Sequence, residues 1–263
     1  MYTPTLKVKR NGVPIVKKEE LDIIGERFVA DFQPSVLEKP EPVDIDRFVE
    51  FYLGMTPDFQ FLSHNGIYLG MTVFNDTNKV IIYDPVHDCA DYISAKARTM
   101  IIDNRLLEEN QHHRYRFTVG HEAGHDILHS GYFSYNPDQL TMFDDFSPMI
   151  QCRLDNCNGT AKSTRLWDDR DWMEWQANRL SSAILMPKSA VERIGNNYRR
   201  RRDLKNPVTR CMPVAHVSGA FDVSIAAATY RLKDLGFIDQ TDTTDYSIGT
   251  SLMDFAPVVA SIS

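Results

Sequence analysis

A chain of 263 residues, 43% hydrophobic and 25% charged, is long enough to bury a full core, which excludes disorder as its main state. Its formal charge of −7 speaks against a phosphate backbone as the main partner, because nucleic-acid binding rests on a basic surface. Four cysteines are too few for a disulfide scaffold, the N-terminus lacks the apolar run of a signal peptide, and no window approaches the roughly 20 apolar residues of a membrane span; the expectation is a reduced, soluble, cytoplasmic protein.

After an N-terminal extension over residues 1–18, "KKEELDIIGERFVADF" (17–32) carries Leu21, Ile24, Phe28, Val29 and Phe32 on one helical face. A second amphipathic helix follows in "VDIDRFVEFYLGM" (43–55), its acidic first turn suited to the helix dipole. The period then changes. "GIYLGMTVF" (66–74), "NKVIIYD" (78–84) and "RTMIIDN" (98–104) are short, rich in β-branched and aromatic residues and separated by turn formers, and read as strands of one sheet. From about Asn110 a helical pattern returns and is expected to stop at Gly131 as C′ residue. Residues 131–170 show no sustained period and read as a long functional connection. A strong helix, "DWMEWQANRLSSAILMP", breaks at Pro187; "VERIGNNYRRRRDLKNP" and a helix-turn-helix-like pair, "MPVAHVSGAF" with "DVSIAAATYRLKDLG", come after it. The residues beyond Asp239, ending in "DFAPVVASIS", are expected to be a loosely held tail.

The chemistry concentrates in "FTVGHEAGHDILHS" (117–130). Residues four apart on an α-helix differ by about 40° around the axis, so His121 and His125 aim their imidazoles at one point able to hold a metal. Glu122 stands to one side, placed to take a proton from water, which is why H-E-x-x-H suits hydrolysis. Ala123 and Gly124 permit close approach of this helix to its neighbours, and Phe117, Ile127 and Leu128 supply its apolar face. The bland alternative is a surface helix with incidental histidines. A catalytic site needs a third protein ligand. Glu174 is the best downstream candidate, since it lies in an otherwise apolar helix where a lone carboxylate is costly to bury; Asp168, Asp169 and Asp171 read more naturally as a cap and first turn.

At these residues the chain resembles the ImmA/IrrE metallopeptidases, zincin-like proteins of bacteria, their phages and mobile elements. The matching segments are "RYRFTVGHEAGHDILH" (114–129), "EWQANRLSSAILMP" (174–187) and "DVSIAAATYRLKDLG" (222–236), in family order, and the resemblance extends over most of 19–238. It implies an ion held by His121, His125 and Glu174, with Glu122 as general acid/base, and a helix-turn-helix repressor as substrate. It also implies an α+β fold: a zincin-like domain, a small mixed sheet with the H-E-x-x-H helix, over 19–190, then a helical helix-turn-helix-like region over 191–238 and a flexible tail over 239–263. Two imidazoles favour zinc, although manganese suits a His₂Glu set as well.

Secondary candidates remain open. His129, Tyr132 and Tyr135 are near enough in sequence to donate to an oxyanion or contact substrate, and "GIYLGMTVF" or "RTMIIDN" offers a sheet edge to an extended peptide. Cys152 and Cys157, spaced C-x₄-C, lack a second pair nearby and read as free thiols rather than a structural metal site. The arginine run at 199–202 reads as a solvated face. Two other classes compete with the peptidase: a regulator that binds a repressor or another protein without cutting it, and a DNA-binding transcription factor that uses the metal for structure.

Overall fold

The computed structural model describes residues 1–133, 149–153, 166–200 and 207–246, with 149–153, 199–200 and 207–210 described by their backbone alone. Tyr135, Cys157 and "DFAPVVASIS" lie outside the described residues, as do Arg201 and Arg202 and the side chain of Cys152.

The architecture is α+β. Helix α1 (Lys18–Phe32) starts where Glu20 Oε2 accepts the Lys17 N–H at 2.7 Å, a reciprocal cap for a donor the helix leaves open. The second expected helix is shorter and differently wound: an α-turn over Ile45–Arg47 runs into a π-helical Phe48–Leu53, which Gly54 ends with φ +72°. Its Phe48 and Tyr52 rings stack at 5.3 Å and pack edge-on to Phe28 of α1.

Strands β1 (Thr56–Gln60), β2 (Tyr68–Val73), β3 (Thr77–Asp84), β4 (Cys89–Ala95), β5 (Thr99–Asp103) and β6 (Met149–Arg153) form two sheets, correcting the expectation of one. The larger has the order β1-β5-β2-β6, with β1 parallel to β5 and the other pairs antiparallel; among the described residues β3 and β4 pair only with each other. The reason is lateral packing: β3 and β4 cover one face of the main sheet, where Val80 and Ala95 meet Met71, Val73 and Ile101. Met100 and Ile102 of β5 face the other way into the helical core, the period-2 alternation of a sheet covered on both sides.

Helix α2 (His112–Phe133) passes Gly131; its Phe133 stacks on Phe74 at 4.3 Å and the Phe133 carbonyl accepts from Asn75 Nδ2 at 2.7 Å. Helix α3 (Asp169–Leu185) is opened by Asp168, whose Oδ1 accepts from Asp171 N while Asp171 Oδ2 accepts from Asp168 N; the aspartates are a cap, as their position suggested. Helices α2 and α3 are in close contact, since a Cβ on Gly124 would stand 3.0 Å from the Ala177 carbonyl oxygen.

Helix α4 (Lys188–Arg200) follows, then α5 (Pro207–Phe221) and α6 (Ile225–Asp234), bent by 112° from the Cys211–Phe221 part of α5. Their apolar residues Val214, Phe221 and Leu232 belong to the same core as Leu21 and Leu180, so the boundary drawn at 190 does not separate two cores. The chain beyond Asp239 is held further than expected: Tyr246 is buried and Lys233 Nζ donates to the Asp242 carbonyl at 2.6 Å. The first residues also dock. Val8 and Pro14 form a bridge, Val13 is buried against Phe133 and Met173, and Lys9 and Asn11 bind the Asp169 carboxylate.

Candidate metal centre

One turn of α2 presents His121 and His125, and α3, packed alongside it, presents Glu174. All three are buried, and one ligand atom from each lies within 4.8 Å of the others. His121 Nε2 and His125 Nε2 stand 2.9 Å apart, and the Glu174 oxygens are 3.4 and 3.5 Å from them. The last two distances exceed the ~2.9 Å of an ordinary N–H···O bond, and Glu174 Oε2 is buried without a hydrogen bond among the described residues. Ligands about 2.0–2.1 Å from a tetrahedral ion stand about 3.4 Å apart; two imidazoles and a carboxylate at this spacing are a donor set that fits a divalent cation.

Electrostatics agree. Burial works to raise the Glu174 carboxyl, but the facing His125 and His121 rings outweigh it and hold it well below the usual carboxylate range. Burial pushes His125 down, only partly opposed by Glu174. The carboxyl is thus held ionised, the form in which it can bind a metal. Behind the cluster, the other nitrogen of each ring is engaged: His121 Nδ1 with Asn178 Oδ1 and His125 Nδ1 with His129 Nδ1, both at 2.9 Å.

Glu122 lies on the sheet side of α2. Thr72 Oγ1 on β2 donates to Glu122 Oε2 at 2.6 Å and lies 3.1 Å from the Glu122 carbonyl. Room for the carboxylate comes from Gly70, where a Cβ would stand 2.6 Å from Glu122 Oε1. The β2–β6 ladder is irregular between Tyr68 and Gly70, beside this carboxylate.

The remaining candidates separate. His129 is fully buried with both ring nitrogens engaged, to His125 and to Gln176 Oε1 at 3.0 Å; it stands behind the ligand, which corrects its expected place as an oxyanion or substrate contact. Tyr132 packs beside Phe133 in the small cluster around Val13 and Met173. Neither "GIYLGMTVF" nor "RTMIIDN" offers an edge, because β2 and β5 are the interior strands of their sheet. Thr72, Gly70, Asn178 and Gln176 escaped the sequence reading. Of these only Asn178 had a local signal, four residues after Glu174 and so on the same helical face.

On α6, Arg231 is buried with Asp22 at 2.5 Å and with the Met186 carbonyl, and Lys233 binds the Asp242 carbonyl. Both cations of this helix are turned inward. Among the described residues no single helix is long and apolar enough to cross a membrane.

Fold and site thus define an α+β protein with a buried His–His–Glu group able to bind a metal ion. No family model matches the chain, and no curated protein matches it.

Proposed function

We propose that the protein is a metal-dependent endopeptidase of the ImmA/IrrE kind, zincin-like in its main domain, which cleaves a helix-turn-helix repressor and so releases the genes that repressor silences. The observation that carries the reading is the His121–His125–Glu174 donor set on the helix that also carries Glu122, whose buried carboxylate is held by Thr72. A structural metal needs no such neighbour; a hydrolytic one needs a base.

His121, His125 and Glu174 would hold the ion, with zinc favoured by the two imidazoles. When bound, such an ion supplies Lewis-acid chemistry, acidifying water at its open position and polarising a carbonyl oxygen. Glu122 would take the proton from the attacking water, with Thr72 keeping Oε2 in place, and return the proton to the departing amine. An extended peptide would run along β6, the terminal strand of the main sheet among the described residues, and add its backbone to that edge.

The helical pair α5–α6 has the 112° bend of a helix-turn-helix unit. Because both cations of α6 face inward, packing or repressor docking suits it better than contact with DNA. The test is incubation of the zinc-loaded protein with a repressor encoded beside it, followed by mass measurement. Two fragments with the wild type and none with Glu122→Gln are expected; an intact repressor held in a stable complex means a regulator that does not cut.

A further inference from the structure

Behind His125 a line of hydrogen bonds runs out of the site: His125 Nδ1 to His129 Nδ1 at 2.9 Å, His129 Nε2 to Gln176 Oε1 at 3.0 Å, and Gln176 Nε2 to the Pro14 carbonyl at 2.9 Å. Its far end decides its direction. A carbonyl oxygen only accepts, so the Gln176 amide must turn its NH₂ to Pro14 and its oxygen to His129. His129 then must donate from Nε2. A fully buried ring whose two partners are an amide oxygen and an imidazole has no carboxylate to pair a charge with and is neutral, so its Nδ1 is left as an acceptor, and His125 must donate from Nδ1. The His125 Nε2 lone pair is thereby turned to the His121–Glu174 side.

We propose that His129 and Gln176 are positioning residues of the metal centre, forming with the Pro14 carbonyl a one-way hydrogen-bond relay that fixes His125 in the single tautomer able to bind an ion through Nε2. The inference rests on the metal-centre reading above. It also makes the hairpin of residues 8–14 part of the site, since the acceptor that orders the relay belongs to it. Partners of this kind hold a ligand ring in register and raise its basicity, and losing one weakens metal affinity by about 10–100-fold.

Two measurements on the full chain test it. In competition with a chromophoric chelator for Zn²⁺, His129→Phe keeps the ring volume but removes the acceptor, and is expected to weaken affinity about 10–100-fold. His129→Asn puts an acceptor oxygen where Nδ1 was, and is expected to restore affinity to within about threefold of wild type. Equal affinity in wild type and His129→Phe, or equal losses in both variants, overturns the relay. Independently of variant folding, ¹⁵N NMR of the zinc-loaded wild type is expected to show His129 protonated at Nε2 and His125 at Nδ1; His129 protonated at Nδ1 overturns the proposal. A wild type that takes up no Zn²⁺ sinks the metal-centre reading instead, so the two failures are distinguishable.

Discussion

Glu122 reaches its place because β2 gives it both a donor and a gap: Thr72 binds one carboxylate oxygen and the missing side chain of Gly70 makes room for the other. Two substitutions separate the base from the ligands. Glu122→Gln keeps the shape and removes the basicity, so turnover of a cleavable repressor is expected to fall by about 10²–10⁴-fold with Zn²⁺ stoichiometry unchanged. Gly70→Ala inserts a methyl where the carboxylate now lies, and displacement by about 1 Å costs on the order of 10²-fold in turnover. Paired chelator titrations and single-turnover cleavage check both, and loss of Zn²⁺ binding in either would place Glu122 among the ligands. Glu174→Gln has the opposite signature, a loss of metal affinity first.

Helix α3 carries Glu174 of the candidate metal group and also joins the fold, packing on α2 at Gly124 and on α1 at Gly25, where a Cβ would meet the Ala183 Cβ at 2.6 Å. Gly25→Ala is therefore expected to destabilise by about 1–3 kcal/mol through overpacking, read as a lower urea midpoint. Helix α6 is tied to α1 by the buried Arg231–Asp22 pair. Replacing one partner strands the other's charge, so Arg231→Met should lower stability by about 3–5 kcal/mol, whereas Arg231→Met with Asp22→Leu should recover much of the loss. Urea titrations of the two single variants and the double variant give the coupling; additive losses would mean that the pair is not what holds the helices together.

One continuous core runs from α1 through the main sheet to Tyr246, large enough that the fold is expected to stand without an ion. Chelation should leave a folded protein with a lower Tm, and saturating zinc at about 1,000 times its Kd should add about 4 kcal/mol; differential scanning calorimetry with and without chelator measures this. The net charge of −7 and the inward cations of α6 predict no retention of duplex DNA in a gel shift at about 0.15 M salt, where exposed charges are screened beyond about 8 Å. Binding that weakens steeply with added salt would revive the DNA reading.

The ligand histidines were legible because helical periodicity is local: a spacing of four places His121 and His125 together wherever the helix goes. Glu174 was legible by its cost, a carboxylate in an apolar helix, and the caps and most helices by their own residues. His129 was a candidate only by its nearness in sequence; it sits one turn further along and bonds the back of His125. Nor did β-rich segments announce which sheet they join, since Val80 and Ile101 look alike as strand residues until one packs across the other. Thr72, Gly70, Gln176 and Pro14 carry no signal in a linear reading, because each acts through a partner many positions away. What residues a few places apart can settle was therefore present in the amino-acid order: helices, caps and the pairing of His121 with His125. Which strand steadies the base, which amide orients a ligand and which edge faces outward depend on segments remote in the chain meeting in space, and packing alone settles that.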